Sequence, residues 1–517
     1  MLEAFSLPAL LQHRHEAGKL AALAAVALAT WWVIGLIRDL VKWVRVGLAC
    51  RPVPSAPGGN ALLGHVLGLA PPNCAWDRMY DWLKQSPGGI LRFRILQRTG
   101  ILVGDPAAIK RIFQTRQKIY EKDLDFSYKP FLPILGTGLV TANGDYWQKM
   151  RLLMAPALRV DMLDTIIPIA KCATDRLAKR VQQYKNTKAP VDLFEEIRLL
   201  TLQVIGEAIL SLNADECDRV FPHLYLPVME ESNRRVLQPW RYLFPTTVMQ
   251  YNSRVRQLDG YLLDIIRTRW ASRRGGRRPE KTGEKGDILD RILQNIEERG
   301  EQWSAASETQ LCFEMKTFLL AGHETSSAML AWTLYELSQD REKMLKVREE
   351  GQRVYGPNDD EPSREAMDTC VYTAAALKES LRKYSVVPVV TRNLAADDEL
   401  GGYKLPKGSW IVCHIKAIHH LYKDPLAWKP DRFMPGGEYD QFSEDIRPYM
   451  FLPFIQGPRN CLGQSFALLE ARVILSLLVK RFTFTTAYEN AGEVSSTVIP
   501  LAPEHGMHML VRDAHLD

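Results

Sequence analysis

Hydrophobic residues recur with a helical period along most of this 517-residue chain, and only short stretches alternate as strands do. The pattern predicts helices through 160–270 and over 307–339, 373–383 and 466–479. Alternating β-formers on either side of Gly100 predict a hairpin over 90–103, with further strands at 388–392 and 403–412. The fold is therefore predicted to be mainly α with small β-sheets.

The first sixty residues differ in pattern from the rest. Residues 20–37 form an uncharged apolar run that is long enough to cross a bilayer as one helix. Residues 1–19 flank this predicted anchor, and a basic, proline-rich hinge is predicted over 38–60, before one large domain over 61–517. More basic residues follow the run than precede it, which favours a cytoplasmic position for that domain. A cleaved signal peptide is the alternative, although the run is long for one.

Composition and charge narrow the possible partners. A net charge of +6, without basic runs interleaved with aromatic residues, gives no indication of nucleic-acid binding. With 46% hydrophobic and 24% charged residues, the chain has enough apolar surface for a large core. Its eight cysteines are scattered and form no C-x-x-C motif. That usage favours reduced thiols in a cytosol-like compartment over a disulfide framework.

The strongest chemical signal lies at residues 454–463, FIQGPRNCLG. Cys461 directly precedes a predicted helix, Arg459 lies two residues upstream, and nearby glycines let the backbone approach a flat ligand. The arginine and the free amides of a helix N-terminus favour a thiolate, which can ligate a metal. A buried free cysteine is the plain alternative. The pattern F-x-x-G-x-R-x-C-x-G resembles the haem-ligand loop of the cytochrome P450 superfamily, in which the cysteine sulfur is the axial ligand of haem iron.

The resemblance extends to other segments and implies further cofactor contacts. Trp147 and Arg151, which share a face of a predicted helix, match the family's W-x-x-x-R pair, whose side chains reach a haem propionate. Arg392, at the end of the strand 388–392, matches a second propionate partner. Together with Arg459 and Cys461, these residues form the predicted binding set for heme b (iron protoporphyrin IX), with Cys461 as the metal ligand.

The helix over 307–339 contains AGHETSS at 321–327. Gly322 weakens a helix by about 1 kcal/mol relative to alanine, and Thr325 can bond the carbonyl of Ala321 and bend the helix. The segment resembles the family's distal helix, where O₂ occupies a widened groove and an acid–alcohol pair passes protons to it. The resemblance therefore assigns catalytic roles to Gly322, Glu324 and Thr325, and treats position 323 as variable. A tolerated glycine and a back-bonded threonine are the structural alternative.

The resemblance gives three charged residues a structural role. Glu379 and Arg382 lie i, i+3 on the helix 373–383, and Arg432 lies in PDRF at 430–433. They resemble the charge network of the family, in which buried charges satisfy one another and hold the cysteine loop for haem.

A cluster of cysteine and histidine at 413–420 could be mistaken for a zinc site, but its spacing matches no common zinc pattern. The family resemblance implies that the apolar loop 120–139 covers the substrate, and packing of the loop alone is the alternative.

The resemblance spans roughly residues 61–517 and implies a membrane-anchored haem-thiolate monooxygenase: a cytochrome P450 fold after a single N-terminal transmembrane helix. The substrate would be small and lipophilic. Because the chain has no G-x-G-x-x-G segment, electrons are expected from NADPH through a flavoprotein reductase. The expected location is single-pass in the endoplasmic reticulum membrane, in contact with lipid, with the catalytic domain facing the cytosol. A haem-thiolate isomerase or lyase, acting on a peroxide without O₂ or reductase, is the alternative, and a tethered haem sensor is a third.

Overall fold

The computed structural model describes residues 7–70, 74–275, 286–494 and 500–514. Its α-helices, in chain order, are α1 (Leu7–Ala49), α2 (Val66–Leu69), α3 (Ala75–Lys84), α4 (Pro106–Lys110), α5 (Leu132–Leu135), α6 (Gly144–Met154), α7 (Val160–Val181), α8 (Leu193–Leu210), α9 (Ala214–Val220), α10 (Leu226–Leu237), α11 (Pro245–Arg274), α12 (Ile288–Glu298), α13 (Ala305–Gln339), α14 (Arg341–Tyr355), α15 (Arg364–Asp368), α16 (Val371–Tyr384), α17 (Ile415–His419) and α18 (Gln464–Arg481). Its strands are β1 (Ile90–Ile95), β2 (Arg98–Val103), β3 (Tyr120–Glu121), β4 (Val191–Asp192), β5 (Val389–Leu394), β6 (Asp398–Leu400), β7 (Tyr403–Leu405), β8 (Trp410–His414), β9 (Phe482–Thr486) and β10 (His508–Asp513). The prediction of a mainly helical fold with small sheets is confirmed.

The long helix α13 forms the centre of the helical core, where it packs against α8, α11, α16 and α18. Ser304 caps its N-terminus, accepting a hydrogen bond from the Ser307 amide at 3.3 Å. Trp332, near its other end, is fully buried and stacks on Tyr384 of α16 with ring centroids 4.1 Å apart. The apolar pattern favours burial, and most side chains between Leu311 and Leu337 are buried, whereas Ala321 is exposed.

The largest sheet has five strands in the order β1-β2-β8-β5-β3, with β2 and β8 parallel. The hairpin predicted over 90–103 is confirmed as β1 and β2, and its turn includes Leu96 in the left-handed region at φ 53°. Gly100 lies inside β2, where a Cβ atom would come within 2.7 Å of the rings of Phe93 and Trp410. The strand predicted over 403–412 is divided into β7 and β8 by a turn at Gly408, whose φ is 88°. A three-stranded sheet, β4-β10-β9, and the hairpin β6-β7 complete the β-structure of the described residues.

The N-terminal segments differ from the prediction at the hinge. Helix α1 contains the predicted span 20–37 and continues to Ala49, well into the predicted hinge. The proline-rich stretch then docks on β1: the Arg92 amide donates to Pro54 O at 2.7 Å, and Ala56 N donates to Arg92 O at 2.8 Å. Val53 is buried as well. These residues pair the open edge of β1, so packed structure begins before the predicted domain boundary at residue 61.

Among the residues that the structure describes, no single helix is long and apolar enough to cross a membrane. One pair, Leu193–Leu210 with Ala214–Val236, meets the test of length and composition together but is bent by 110°. The anchor predicted over 20–37 therefore stays a prediction.

Candidate active site

The loop that carries Cys461 is tightly folded just before α18. The Cys461 amide donates to Phe454 O at 2.8 Å, and the Asn460 amide donates to Gly457 O at 3.0 Å. Gly457 has φ 82°, and a Cβ there would collide with the Phe113 carbonyl, so only glycine fits. Ile455, a β-branched residue, also adopts a positive φ of 59°. Such backbone is strained, and it persists because the loop is held from several sides.

The Cys461 side chain is exposed, whereas Cys50, Cys217, Cys312, Cys370 and Cys413 are buried. Protein groups nevertheless surround the sulfur, and this burial raises the pKa of the Cys461 thiol above its ordinary value. The Gly463 amide and the positive charge of Arg151 act in the opposite direction. The sequence predicted the influence of the helix N-terminal amides, but it assigned the positive charge to Arg459 instead of Arg151 and did not predict the larger effect of burial. A bound metal ion would favour the thiolate far more strongly than either group.

Helix α6 contacts the cysteine loop through Trp147 and Arg151. As predicted, these two side chains lie on one face of the helix. Arg151 donates from Nη1 to Asn460 O at 2.7 Å and from Nη2 to Asn460 Oδ1 at 2.6 Å. The Trp147 ring lies 4.3 Å from the guanidinium carbon of Arg459. Arg151 thus binds the residue next to Cys461 in this structure, and its predicted contact with a propionate stays a prediction.

Arg459 is held from the opposite side by the backbone that precedes α6. Its Nη2 donates to Ala142 O at 2.9 Å, whereas its Nη1 is buried and makes no hydrogen bond within the described part of the chain. Burial and the nearby positive charge of Arg392 lower the pKa of Arg459 to about 10. A buried donor without a partner is costly, so this position favours an added acceptor.

Lys122, which the sequence analysis did not select, lies near Arg392 and Arg459, and these three residues are called the positive cluster. Tyr128, also not selected, bonds Lys122. Lys122 donates from Nζ to the Tyr128 hydroxyl at 3.1 Å. Burial lowers the pKa of Lys122 far below its usual value, and the charges of Arg392 and Arg459 lower it further. Over the described ranges, none of Lys122, Arg392 and Arg459 forms an ion pair with a carboxylate. Residues 120–139 were interpreted only as an apolar loop, and no spacing pattern marks Lys122 or Tyr128 within it.

The donor set fits a ligand that carries carboxylates, such as the two propionates of haem. Three basic side chains converge without an acidic partner in the described chain, and one of them, Arg459, has an unsatisfied buried N–H group. An added anion would favour the charged form of Lys122. Guanidinium groups bind carboxylates through charge-assisted hydrogen bonds, and lysine adds a point charge. Cys461 offers sulfur for the iron. The chain therefore supplies both a metal ligand and anion-binding groups beside it.

On α13, Thr325 makes the bond predicted for it: Oγ1 donates to Ala321 O at 2.6 Å. Thr201 of α8 donates to His323 O at 3.0 Å. Side chains thus add hydrogen bonds to two carbonyls in one turn, although the helix stays continuous. Gly322 contacts α8, and a Cβ there would come within 2.6 Å of Ile205 Cδ1. Its visible role is to let α8 approach α13, and its predicted catalytic role remains untested.

The Glu324 carboxyl is 14% exposed. Burial raises its pKa to about 7, and the positive charge of Arg198 opposes that rise. Glu324 is therefore largely protonated below neutral pH and can act as a proton donor close to Thr325.

The predicted charge network is found as expected. Arg382 donates to both carboxylate oxygens of Glu379, at 2.7 and 2.8 Å, and both side chains are fully buried. Arg432 donates to the same carboxylate at 3.3 Å and also pairs with Glu438. The Lys429 amide adds a bond to Glu379 at 2.9 Å. These groups satisfy one another, as buried charges require.

His419 connects this network to the segment that leads into the cysteine loop. Arg382 donates to its carbonyl at 3.0 Å, and the Leu452 amide donates to its Nε2 at 2.9 Å. Its Nδ1 bonds Ser385 Oγ at 2.7 Å, so the imidazole is engaged on both nitrogens. Within the described residues, no cluster of three or more His, Cys, Asp or Glu side chains has the arrangement of a metal site.

A second buried acid, Glu470, lies on α18 against α13. Ser326 Oγ donates to its Oε2 at 3.1 Å, and burial raises its pKa to about 8. The folded protein thus keeps a proton that the unfolded chain loses near pH 4.5. The free energy of unfolding is then expected to fall by about 1.4 kcal/mol per pH unit from this group as pH rises toward 8, and not beyond.

Glu470→Gln is expected to remove that contribution, because the amide is neutral at every pH. Denaturation midpoints measured between about pH 5 and 8 should depend less on pH in this variant than in wild type. Glu342→Gln, at an exposed glutamate on α14, is the control and should keep the wild-type slope. An unchanged slope in Glu470→Gln would contradict a buried neutral carboxyl.

Comparison with known proteins shows which family this chain belongs to. The family model described as Cytochrome P450 matches residues 54–505. The rat protein "Cytochrome P450 4V2" is 26% identical over 511 residues, 94% of each chain. The human "Ultra-long-chain fatty acid omega-hydroxylase" is 31% identical over 458 residues, 84% of this chain and 83% of that one. An Arabidopsis thaliana "Cytokinin hydroxylase" is 31% identical over 396 residues, 73% of this chain and 72% of that one.

A solved structure has the same fold. It is titled "Crystal structure of cytochrome P450DA heme domain" and superposes with a TM-score of 0.77, at 23% identity over 90% of this chain and 98% of that one. At that identity the likeness concerns the fold alone.

Proposed function

Since the chain belongs to the cytochrome P450 family and is a P450 monooxygenase, we propose that it inserts one oxygen atom of O₂ into a small lipophilic substrate, by hydroxylation or epoxidation. NADPH would supply the electrons through a flavoprotein reductase. The relatives named above include a fatty acid hydroxylase and a cytokinin hydroxylase. These names do not rank one substrate above another, so the proposal stops at the lipophilic class.

The observation that carries this proposal is the positive cluster beside an accessible cysteine. Arg392, Arg459 and Lys122 would bind the haem propionates, and Cys461 would be the axial ligand. Haem held there would supply redox chemistry with O₂, and the thiolate would donate electron density to the iron. Arg151 and Asn460 would keep the sulfur in place, since they fix the loop immediately before it.

The side chains of α13 would handle protons. The Thr325 hydroxyl donates its hydrogen bond to Ala321 O, so its oxygen can still accept a hydrogen bond from a proton donor. Glu324, with a pKa raised to about 7, would be that donor. Its proton is present below about pH 7 and is lost as pH rises through that value. The acid and the alcohol together would deliver protons to reduced oxygen, as the family resemblance implies.

Thr325→Ala is the test of this mechanism, because it removes one hydroxyl and leaves Cys461 and the positive cluster intact. We expect NADPH consumption to continue while product falls and hydrogen peroxide rises. The measurement is the ratio of product formed to NADPH consumed, with peroxide assayed in the same reactions. Thr333→Ala is the control, because Thr333 makes the same kind of bond to the carbonyl four residues earlier, at 2.7 Å, on the same helix.

The two variants separate chemistry from packing. A packing defect of about 1 kcal/mol would lower haem content and NADPH consumption together in either variant. An unchanged product ratio in Thr325→Ala would remove this hydroxyl from the mechanism and favour the isomerase alternative, which needs no reductase.

We also propose that residues 20–37 anchor the protein in the endoplasmic reticulum membrane, with the catalytic domain in the cytosol. Large apolar side chains of α1 support this, because they have no partner in the fold: Trp31 is 74% exposed and Ile34 60% exposed. A lipid bilayer would cover such surface. The end of α1 is different, since Val46 and Cys50 are buried against the sheet.

A chain that begins at residue 39 is therefore the sharper test than one that begins at residue 51. It should move from the membrane fraction to the soluble fraction while its haem spectrum stays that of the full chain. The shorter chain, without Val46 and Cys50, should lose stability because buried apolar contacts are removed. A residue-39 chain that still sediments with membranes after a salt wash would contradict this single attachment.

A further inference from the structure

A buried polar group behind the Glu324–Thr325 pair has no role in the mechanism so far. His323 is fully buried on α13, and its Nδ1 lies 2.9 Å from Leu319 O. Only a protonated Nδ1 can bond a carbonyl, and burial lowers the pKa of His323 to about 4, so the ring is neutral. Its Nε2 is then an acceptor. That atom is buried and has no hydrogen-bond partner among the described residues.

The groups nearest to this acceptor are Glu324 and Tyr225. Glu324 Oε1 lies 3.8 Å from His323 Nε2, which is about 1 Å longer than a hydrogen bond. The Tyr225 ring meets the imidazole edge to face, with centroids 5.3 Å apart. The Tyr225 hydroxyl is also buried without a partner in the described chain, and the negative charge of Glu324 is one of the influences that raise its pKa, after burial.

Two buried polar atoms without a partner in the described chain, His323 Nε2 and the Tyr225 hydroxyl, thus lie near the Glu324 carboxyl. An unpaired buried polar atom costs about 1–3 kcal/mol, so neighbouring groups of this kind are stable when they bond one another. His323 Nε2 needs a donor, and a protonated carboxyl has one. Arg198 of α8 is the charged group that faces this site, but it is paired with Glu195 at 2.9 Å. Thr201, also on α8, donates its proton to a backbone carbonyl.

We propose that His323 Nε2 and the Tyr225 hydroxyl form a buried seat that holds Glu324 as a neutral carboxylic acid, loaded with the proton it delivers during turnover. The proposal rests on the function given above. The acid O–H of Glu324 donates a hydrogen bond to His323 Nε2, and the Tyr225 hydroxyl bonds the same carboxyl, so both are positioning residues. No covalent bond changes in this step, since the proton stays on Glu324 until it is passed to the Thr325 side. In this proposal, position 323, which the sequence analysis treated as variable, has a positioning role.

Infrared difference spectra of the full-length haem protein test the seat without turnover. Spectra taken below and above about pH 7 should contain a carboxylic-acid carbonyl band that is lost in Glu324→Gln. In His323→Leu and in Tyr225→Phe this band should move to higher frequency, because the carboxyl loses a hydrogen-bond partner. His323→Gln, which keeps an acceptor, should restore most of the wild-type position. Tyr372→Phe is the matched control, since the Tyr372 hydroxyl is likewise buried and unpartnered but lies on α16.

Turnover gives a second and independent readout. Product formed per NADPH should fall about fivefold in His323→Leu, the factor of one ordinary hydrogen bond, with haem content unchanged. It should recover in His323→Gln and stay at the wild-type value in Tyr372→Phe. The pH profile of this ratio should also change in His323→Leu, which a purely structural role would not produce.

The outcomes separate this inference from the proposed function. If no band is lost in Glu324→Gln, or if the band keeps its frequency in both His323→Leu and Tyr225→Phe, the seat does not exist, even where Thr325→Ala uncouples turnover. If the band shifts as described while Thr325→Ala leaves the product ratio unchanged, the seat is real and the proton-delivery mechanism is wrong.

Discussion

Replacing Cys461 by serine is expected to abolish product formation and to change the identity of the haem ligand. A neutral hydroxyl cannot donate electron density to iron as a thiolate does. The loop itself should survive, because the Cys461 amide bonds Phe454 O and Arg151 holds Asn460, and neither contact involves the sulfur. Activity, haem content and the spectrum of the reduced CO complex should be measured on the same preparation.

Cys172→Ser is the control, because Cys172 is the other exposed cysteine among the eight free thiols. It should keep full activity and the wild-type spectrum. If Cys461→Ser retained the spectrum of a thiolate-ligated haem, the ligand would have to be another cysteine, and the candidate site would be wrong.

Glu379→Gln is expected to destabilise the protein by about 3–5 kcal/mol, because it leaves Arg382 and Arg432 as buried charges without their common anion. The effect should reach the active site through His419, which bonds both Arg382 and the backbone that precedes the cysteine loop. Haem should therefore dissociate faster from this variant at temperatures where it is still folded. Denaturation midpoints and the rate of haem transfer to an acceptor protein are the measurements.

An exposed ion pair provides the comparison for Glu379. Glu342 and Lys346 lie 2.8 Å apart on α14, with side chains 80% and 43% exposed. Because solvent screens such pairs, Glu342→Gln should change stability by about 1 kcal/mol or less. A similarly small effect of Glu379→Gln would show that the buried network does not stabilise the fold, and would leave the cysteine loop without the support assigned to it.

The sequence was sufficient where a motif is local in the chain. The Thr325–Ala321 bond joins residues four positions apart, so spacing alone predicted it. The loop at 454–463 was identified from ten consecutive residues through the family resemblance. The charge network joins positions that are about fifty residues apart, and it could be predicted only because the family resemblance supplied the pairing. The long helix α13 was predicted within two residues of its start because its apolar pattern is continuous.

The contacts that sequence could not predict all depend on how distant segments pack. Lys122 becomes a candidate anion-binding residue only because the fold brings Arg392 and Arg459 beside it. Gly322 was assigned to catalysis from its motif, whereas its observed contact is with Ile205 of another helix. The proline-rich stretch was predicted as a hinge from composition. It docks because β1 has a free edge, which is a property of the sheet and not of the stretch itself.

The account depends most on Cys461 being the axial ligand of a bound haem, and the absorption spectrum of the reduced wild-type protein with CO tests this directly. Thiolate ligation should give the strongly red-shifted Soret band that distinguishes it from histidine ligation. We expect that band in the wild type and its loss in Cys461→Ser. A wild-type band at the position typical of a histidine-ligated haem would contradict the assignment of Cys461 and, with it, the proposed mechanism.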